Sequence, residues 1–202
     1  MKIIKIETLI CHGPYASSKA WKHTRANLHK AIKDVDWPAG SGSFTIYPES
    51  GKKRGKGNGV KPIKEGLMKA LKIQGWKLEQ PLDIATMVTP GKLDAVLSTK
   101  YGPVALEWET GNISSSHRAL NKMALGLLKD KLACGILVVP SRNLYKYLTD
   151  RIGNIAELEP YFEVWKSIPC KNGVLEIVVI EYDATSTKVR RIPKGTSGRA
   201  LQ

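Results

Sequence analysis

Apolar residues recur along this chain with two different periods, and each period predicts a different kind of element. A helical spacing covers residues 21–35 and stops before Pro38, and Pro62 opens a second helical stripe. Residues 144–162 also have a helical spacing, with one interruption near Gly153. We expect a further helix that is capped by the serines at 114–116 and buries Leu120, Met123, Ala124, Leu127 and Leu128 on one face.

Short runs rich in β-branched and aromatic residues predict the strands. The runs at 93–97 and 104–109 are joined by a turn at 100–103, so we expect them to pair as an antiparallel hairpin. Pro140 closes an almost continuously apolar run, which is typical of a strand buried on both faces. This run, at 133–139, is therefore expected to be a strand. Further strands are expected at 43–48 and 174–182.

The order of these elements predicts the fold class. The strand at 104–109, the helix after it and the strand at 133–139 form a β-α-β unit, whereas the hairpin contributes an antiparallel pair. We therefore expect an α/β fold with a mixed central β-sheet flanked by helices. No repeat or long linker divides the 202 residues, so residues 1–202 are expected to form a single domain.

Charge and cysteine content narrow the functional classes. Lysine and arginine number 32 against 18 acidic residues, and the net charge of +14 favours a nucleic acid partner over a membrane surface. No stretch approaches the roughly 20 apolar residues that cross a bilayer, and residues 1–5 do not form a signal peptide, so we expect a cytoplasmic protein without a membrane partner. Cys11, Cys134 and Cys170 match no zinc spacing and are interpreted as free thiols.

Two carboxylates, Glu107 and Glu109, stand two residues apart in an apolar run. In an extended strand both project from one face, while Leu106 and Trp108 project from the other, and the predicted hairpin brings Asp94 close to the glutamates. Like charges this close favour a bound cation, and Mg²⁺ prefers carboxylate oxygens. The pattern indicates a metal or acid/base site, and the alternative is a pair of exposed strand glutamates.

With DNA as the partner, such a site suits phosphodiester hydrolysis. Metal at Asp94 and Glu107 would polarise the phosphodiester and stabilise the leaving 3′ oxygen. Glu109 is our candidate for the general base that activates water.

Five short segments then give the chain a family resemblance. They are 58–64 (NGVKPIK), 107–118 (EWETGNISSSHR), 147–151 (YLTDR), 157–162 (ELEPYF) and 192–195 (IPKG). Together, and in this order, they resemble the BamHI family of type II restriction endonucleases, which belongs to the PD-(D/E)XK nuclease superfamily.

The resemblance implies a homodimer that uses Mg²⁺, with Mn²⁺ as a substitute, to cut double-stranded DNA at the palindrome GGATCC. The cut after the first G leaves four-base 5′ overhangs. It also implies a prokaryotic cytoplasm and a cognate DNA methyltransferase in the same cell that is not a stable subunit. The alternatives are the same nuclease with a different cognate sequence and a sequence-specific DNA-binding protein that does not cleave.

The same resemblance assigns the catalytic residues. Asp94 and Glu107 are implied as metal ligands, together with the main-chain carbonyl of Trp108. Glu79 is implied as a further catalytic carboxylate near the metals. In this family the usual final lysine of the nuclease motif is a glutamate, and Glu109 occupies that position.

Base recognition is expected from two segments. Asn112 and Ser114 lie at the start of the predicted helix and Arg118 lies one turn further along, at the end that would point toward DNA. Asp150 offers an acceptor suited to cytosine N4, and Arg151 offers a fork suited to guanine O6 and N7. The resemblance places both of these residues at base contacts.

Other contacts are expected outside the base pairs. Lys61 and Lys64 are assigned to the DNA backbone. The glycine-rich basic loop at 51–59 is either a solvated loop or a further phosphate contact that orders on binding. The segments 123–131 and 155–162 resemble the elements of the family's dimer bundle.

Overall fold

The computed structural model describes residues 1–53, 55–84, 91–109, 111–149 and 152–194, and every structural statement below concerns this part of the chain. Its strands are β1 (Lys2–His12), β2 (Thr45–Ile46), β3 (Lys77–Pro81), β4 (Lys92–Thr99), β5 (Gly102–Trp108), β6 (Cys134–Pro140), β7 (Gly173–Glu181) and β8 (Ala184–Thr185). Its α-helices are α1 (Gly13–Ala16), α2 (Lys19–Lys33), α3 (Lys61–Ile73), α4 (Ile113–Leu128), α5 (Arg142–Tyr145), α6 (Ile155–Leu158) and α7 (Phe162–Lys166), with a 3₁₀ turn at Glu159–Tyr161.

A mixed sheet of six strands, in the order β1-β7-β6-β5-β4-β3, organises the fold. β5, β6 and β7 are parallel, whereas β1, β3 and β4 join the sheet by antiparallel pairing. The predicted hairpin is confirmed, with Ala95 opposite Leu106. The predicted β-α-β unit is also confirmed, because α4 connects the parallel neighbours β5 and β6.

The two faces of this sheet pack against different helices. Leu106 and Trp108 lie in the core formed with α2 and α3, whereas Ala105 lies in the core formed with the apolar face of α4. Alternation along β5 therefore directs Glu107 toward α4 and away from the core that contains Trp108. Every residue of β6 and β7 is buried, as expected for strands covered on both faces.

The predicted helix at 144–162 is wrong over its first half. α5 ends at Tyr145 and α6 begins only at Ile155, and the described residues between them are not helical. Leu148 instead pairs with Asn58 as an isolated bridge. Tertiary pairing of the backbone thus overrides the local apolar spacing.

Three smaller predictions also need correction. The cap of α4 is Asn112 and not the serine run, because the Asn112 side chain accepts from the backbone N–H of Ser115 at 3.2 Å. Leu128 ends α4 with its side chain exposed, so it does not belong to the buried face. The strand expected at 43–48 is reduced to two residues by its short parallel pairing with β8.

Asn58 links three segments that are distant in sequence. Its fully buried carboxamide donates to the carbonyls of Tyr47 and Tyr147, both at 2.8 Å, and accepts from the backbone N–H of Ile192 at 3.1 Å. The N–H of Gly59 in turn donates to the carbonyl of Ile192 at 3.0 Å. These bonds hold the base of the glycine-rich loop against the rest of the fold.

None of the described helices is both long and apolar enough to cross a membrane.

Candidate active site

A cavity of about 1100 Å³ opens between the β4–β5 hairpin, α3 and α4. The hairpin and the residue that directly follows it contribute three of the four predicted carboxylates to its wall, Asp94, Glu107 and Glu109, and α3 contributes Lys64. The residues that line it include Asp94, Glu107, Trp108, Glu109, Ser114, Ser115, Arg118 and Lys122.

Asp94 is held by two donors on either side of its carboxylate. Its Oδ2 accepts from the backbone N–H of Trp108 at 2.8 Å, and its Oδ1 forms an ion pair with the ammonium of Lys64. The side chain of Asp94 is 12% exposed and that of Lys64 is 21% exposed. Because the hairpin register places Ala95 opposite Leu106, Asp94 lies across from Glu107.

The surroundings of Glu107 strongly disfavour its charged form. Burial, followed by repulsion from Asp94, raises the pKa of Glu107 to about 8, while Lys122 and Lys64 act in the opposite direction. Lys122 reaches this region from α4 and donates to the carbonyl of Gly91, and burial lowers its own pKa. The acidic pair Asp94 and Glu107 is thus flanked by one lysine from each neighbouring helix.

Glu109 is turned toward the start of α4. It is 7% exposed and accepts from the backbone N–H of Gly111 and from the hydroxyl of Ser116, the latter at 3.1 Å. Burial raises the pKa of the Glu109 carboxyl, and the two hydrogen bonds oppose that shift. The carboxylate is therefore fixed in one orientation by two donors.

The donor set of the acidic pair suits a hard cation. In the described part of the chain, no group of three or more Asp, Glu, His or Cys side chains is arranged to hold a metal ion. Asp94 and Glu107 nevertheless form a pair of carboxylates at the cavity wall, and Mg²⁺ is typically bound by one or two carboxylates together with water and substrate phosphate oxygens. The pair therefore fits Mg²⁺ as a site completed by the substrate.

The other two predicted metal ligands differ in position. Trp108 lines the cavity, with its indole buried in the core beneath. Glu79 is exposed on β3 with a left-handed backbone (φ 51°), and it is not among the described residues that line the cavity. The structure thus brings Trp108 to the acidic pair and does not bring Glu79 there.

The predicted base-recognition residues of α4 lie on one exposed turn at the cavity. Asn112 caps the helix, and Ser114 and Arg118 are exposed and line the cavity one turn apart. Arg118 donates weakly to the hydroxyl of Ser115 at 3.4 Å. This segment places hydrogen-bonding side chains at the same cavity as the three carboxylates.

The remaining predicted DNA contacts are distributed differently. Lys61 is exposed at the first residue of α3, as expected for a phosphate contact. Lys64, one turn later, lies instead at the acidic pair. Asp150 and Arg151 lie outside the described residues, as does Arg54 of the basic loop.

Sequence reasoning missed two residues of the site, Ser116 and Lys122. A signal existed for Lys122, because Ser114, Arg118 and Lys122 recur every four residues and so share one face of the helix. No local signal existed for Ser116, since its role depends on how α4 packs against the end of β5.

The sequence and the fold both match known endonucleases. The family described as restriction endonuclease BamHI matches residues 1–199. The type II restriction enzyme OkrAI of Oceanobacter kriegii is 50% identical over 202 residues, which cover 100% of both chains. The type II restriction enzyme BamHI of Bacillus amyloliquefaciens is 37% identical over 169 residues, which cover 80% of this chain and 75% of that enzyme.

A solved structure with a similar fold is the restriction endonuclease BglII complexed with a DNA 16-mer. Its TM-score is 0.59 at 12% identity, covering 95% of this chain and 88% of that chain. At this identity the likeness concerns the fold alone, and it confirms the predicted restriction-endonuclease-like α/β architecture. The family match over nearly the whole chain shows that the protein belongs to the restriction endonuclease BamHI family.

Proposed function

We propose that this type II restriction endonuclease hydrolyses double-stranded DNA at GGATCC with Mg²⁺, cutting after the first G to leave four-base 5′ overhangs. The observation that carries the proposal is the cavity in which Asp94, Glu107 and Glu109 lie beside the exposed start of α4. A net charge of +14 supports a polyanionic substrate for a cavity lined by carboxylates.

Asp94 and Glu107 would hold the metal, with the carbonyl of Trp108 as a further ligand and Glu79 as the least supported carboxylate. Mg²⁺, or Mn²⁺ in its place, supplies Lewis-acid stabilisation of the charge that develops on the phosphodiester and the leaving 3′ oxygen. The hard oxygen donors of the pair support this choice of cation.

Glu109 would act as the general base by accepting a proton from the attacking water. Burial raises its pKa and so makes the carboxylate a stronger proton acceptor, and the donors at Gly111 and Ser116 keep it in one orientation. Glutamine at this position keeps the shape of the side chain but cannot take up the proton.

Base recognition would come from Asn112, Ser114 and Arg118 at the cavity, together with Asp150 and Arg151 as partners of one G·C pair. The exposure of the three α4 side chains supports this role. Backbone phosphates would be contacted outside these base pairs by Lys61, Lys64 and the basic loop.

A palindromic site would be recognised by a homodimer, with one protomer on each half-site. Three exposed apolar side chains on α4 and near α7 support a protein contact in that region: Leu128, Tyr161 and Val164. We further propose a cytoplasmic location and a separate cognate methyltransferase that protects the host DNA.

Digestion of a plasmid with a single GGATCC site tests the proposal. We expect linear DNA in the presence of Mg²⁺, and sequencing of the ends should give the 5′ overhang GATC. Glu109→Gln should bind the site without cutting, while Glu65→Gln, which changes an exposed carboxylate on α3, should cut normally.

Other results would contradict separate parts of the proposal. Cuts at another hexamer would favour the same nuclease with a different cognate sequence. Specific binding without cleavage under Mg²⁺ and Mn²⁺ would favour a DNA-binding protein that does not cleave.

A further inference from the structure

Lys64 occupies an unusual place for a residue expected to contact phosphate. It stands in the first turns of α3, and its ammonium is paired with Oδ1 of Asp94 in a contact that is mostly shielded from solvent. Its positive charge also acts to lower the pKa of Glu107 and of Glu109, so it lies within electrostatic reach of all three carboxylates. Lys64 therefore belongs to the catalytic cavity as much as to the DNA-facing surface.

We propose that Lys64 is a displaceable counter-ion, which competes with the divalent cation for Asp94 and is drawn away by a DNA phosphate. An ammonium and a divalent cation on the same carboxylate repel each other, so each weakens the binding of the other to Asp94. The inference rests on the proposed function of the cavity, and it adds a coupling between DNA binding and metal binding.

The geometry of α3 supports the exchange of partners. Lys61 and Lys64 are three residues apart and so lie on neighbouring positions of one helix face. Lys61 is exposed, and the side chain of Lys64 remains 21% exposed. A phosphate beside Lys61 would thus approach the flexible stem of Lys64, whose ammonium is a mobile point charge.

Thermodynamic linkage fixes the consequence of this competition. If DNA removes Lys64 from Asp94, DNA raises the affinity of the cavity for the divalent cation. By reciprocity, the cation raises the affinity for DNA by the same factor. In protein without DNA, Lys64 would thereby offset the negative charge of the acidic pair. When DNA binds, Lys64 would leave Asp94, and the pair would be free to bind the cation.

The first experiment measures Mn²⁺ binding to the protein without DNA, by electron paramagnetic resonance of the free ion and by calorimetry. Lys64→Met should lower the Kd for Mn²⁺ by about tenfold or more. Lys64→Arg keeps the charge and should bind Mn²⁺ as weakly as the wild type. Lys69→Met, at an exposed lysine of the same helix with no proposed DNA contact, should leave the Kd unchanged.

The second experiment measures the coupling with DNA in a Glu109→Gln background, in which cleavage should not occur. A duplex that contains GGATCC should lower the Kd for Mn²⁺ by about tenfold when Lys64 is present. With Lys64→Met the same duplex should lower the Kd by a clearly smaller factor, because the phosphate oxygens that complete the site remain but no counter-ion is displaced. Lys64→Gln, which can still donate to Asp94 without a charge, repeats the test if the methionine variant folds poorly.

The outcomes separate this inference from the proposed function. Equal Mn²⁺ affinity in the wild type, Lys64→Met and Lys64→Gln would overturn the inference, even if the plasmid is cut at GGATCC. Tighter Mn²⁺ binding in both neutral variants, together with weaker coupling to DNA than in the wild type, would support it. Failure of the proposed function would instead appear as an uncut plasmid, which the metal titrations do not measure.

Discussion

Replacing Ser116 with alanine would remove the side-chain donor that holds Oε2 of Glu109. The Ser116 hydroxyl is completely buried and lies 3.1 Å from that oxygen, so no water molecule can readily replace it. The backbone N–H of Gly111 would remain as a donor on Oε1. The variant therefore tests how much of the reaction rate depends on the orientation of the proposed base.

The structure sets the size of the expected effect. A hydrogen bond to a charged group contributes about 1.5–3 kcal/mol, and each 1.4 kcal/mol of barrier corresponds to a tenfold change in rate. If most of that energy is expressed in the transition state, Ser116→Ala should cut DNA about 10- to 100-fold more slowly. Ser116→Cys keeps a weak donor of similar size and should have an intermediate rate.

Single-turnover cleavage of a cognate duplex, measured with enzyme and Mg²⁺ in excess, is the suitable assay. DNA affinity should change little in Ser116→Ala, because Ser116 is buried away from the exposed recognition turn. Ser115→Ala serves as the matched control one residue earlier. Its hydroxyl contacts Arg118, so that variant should alter DNA affinity more than the cleavage rate.

A wild-type cleavage rate in Ser116→Ala would refute this reasoning. So would an equal loss of rate in the alanine and cysteine variants, since a positioning role predicts a graded effect. Urea unfolding of both variants would establish that the measured rates belong to folded protein.

Three further predictions concern packing and charge. Gly153→Ala should slow cleavage and destabilise the fold by about 1–3 kcal/mol, because the new Cβ would lie 3.0 Å from Cα of Ile113 at the start of α4. Arg25→Met should destabilise the protein by about 1–3 kcal/mol in urea unfolding at pH 8, because Arg25, whose own side chain is 36% exposed, makes two contacts, at 2.9 and 3.1 Å, with the buried carboxylate of Glu176. Burial lowers the pKa of His29 to about 4, so the unfolded protein binds more protons at this residue than the folded protein does. The free energy of unfolding should therefore fall by up to about 3 kcal/mol as the pH drops from 6.5 to 4, and His29→Leu should remove this loss.

Each of these predictions has a matched control. Gly91→Ala should be tolerated, because among the described residues its Cβ would meet only the ammonium of Lys122, at 3.6 Å. Adding Glu176→Gln to Arg25→Met should restore part of the lost stability, and an unchanged double variant would contradict an unpaired charge as the cause. His23→Leu, at an exposed position of the same helix, should leave the acid slope unchanged, and a flattened slope there would count against His29.

The elements that place the site were predictable because their signals are local. The β4–β5 hairpin joins two alternating runs across a short turn, and its register brings Asp94 opposite Glu107 without any distant contact. The helix after β5 was predictable for the same reason, from its apolar periodicity. Its cap was misplaced by two residues because several polar residues in succession can each cap a helix.

The contacts that distant residues make with the carboxylates were not predictable from local periodicity or turn residues. Lys64 meets Asp94 across 30 residues, and this contact depends on how α3 packs against the sheet. The spacing at 144–162 predicts one interrupted helix, but the carbonyl of Tyr147 accepts from Asn58 instead of continuing a helix. Contacts between distant segments of this kind do not change the spacing of apolar residues, so the sequence pattern does not reveal them.

The position of Asn58 also has a chemical consequence for the lifetime of the enzyme. An asparagine followed by glycine deamidates when the next backbone nitrogen attacks its side-chain carbonyl, and Asn58-Gly59 is one of two such pairs in this chain, the other being Asn172-Gly173. In the folded protein the Gly59 N–H is committed to Ile192, and the Asn58 amide is bonded at both ends. Folding thus protects the pair, whereas prolonged unfolding exposes it to an irreversible change. Deamidation would place a carboxylate where the fold requires two donated N–H bonds, so ageing damage at this one side chain would prevent refolding.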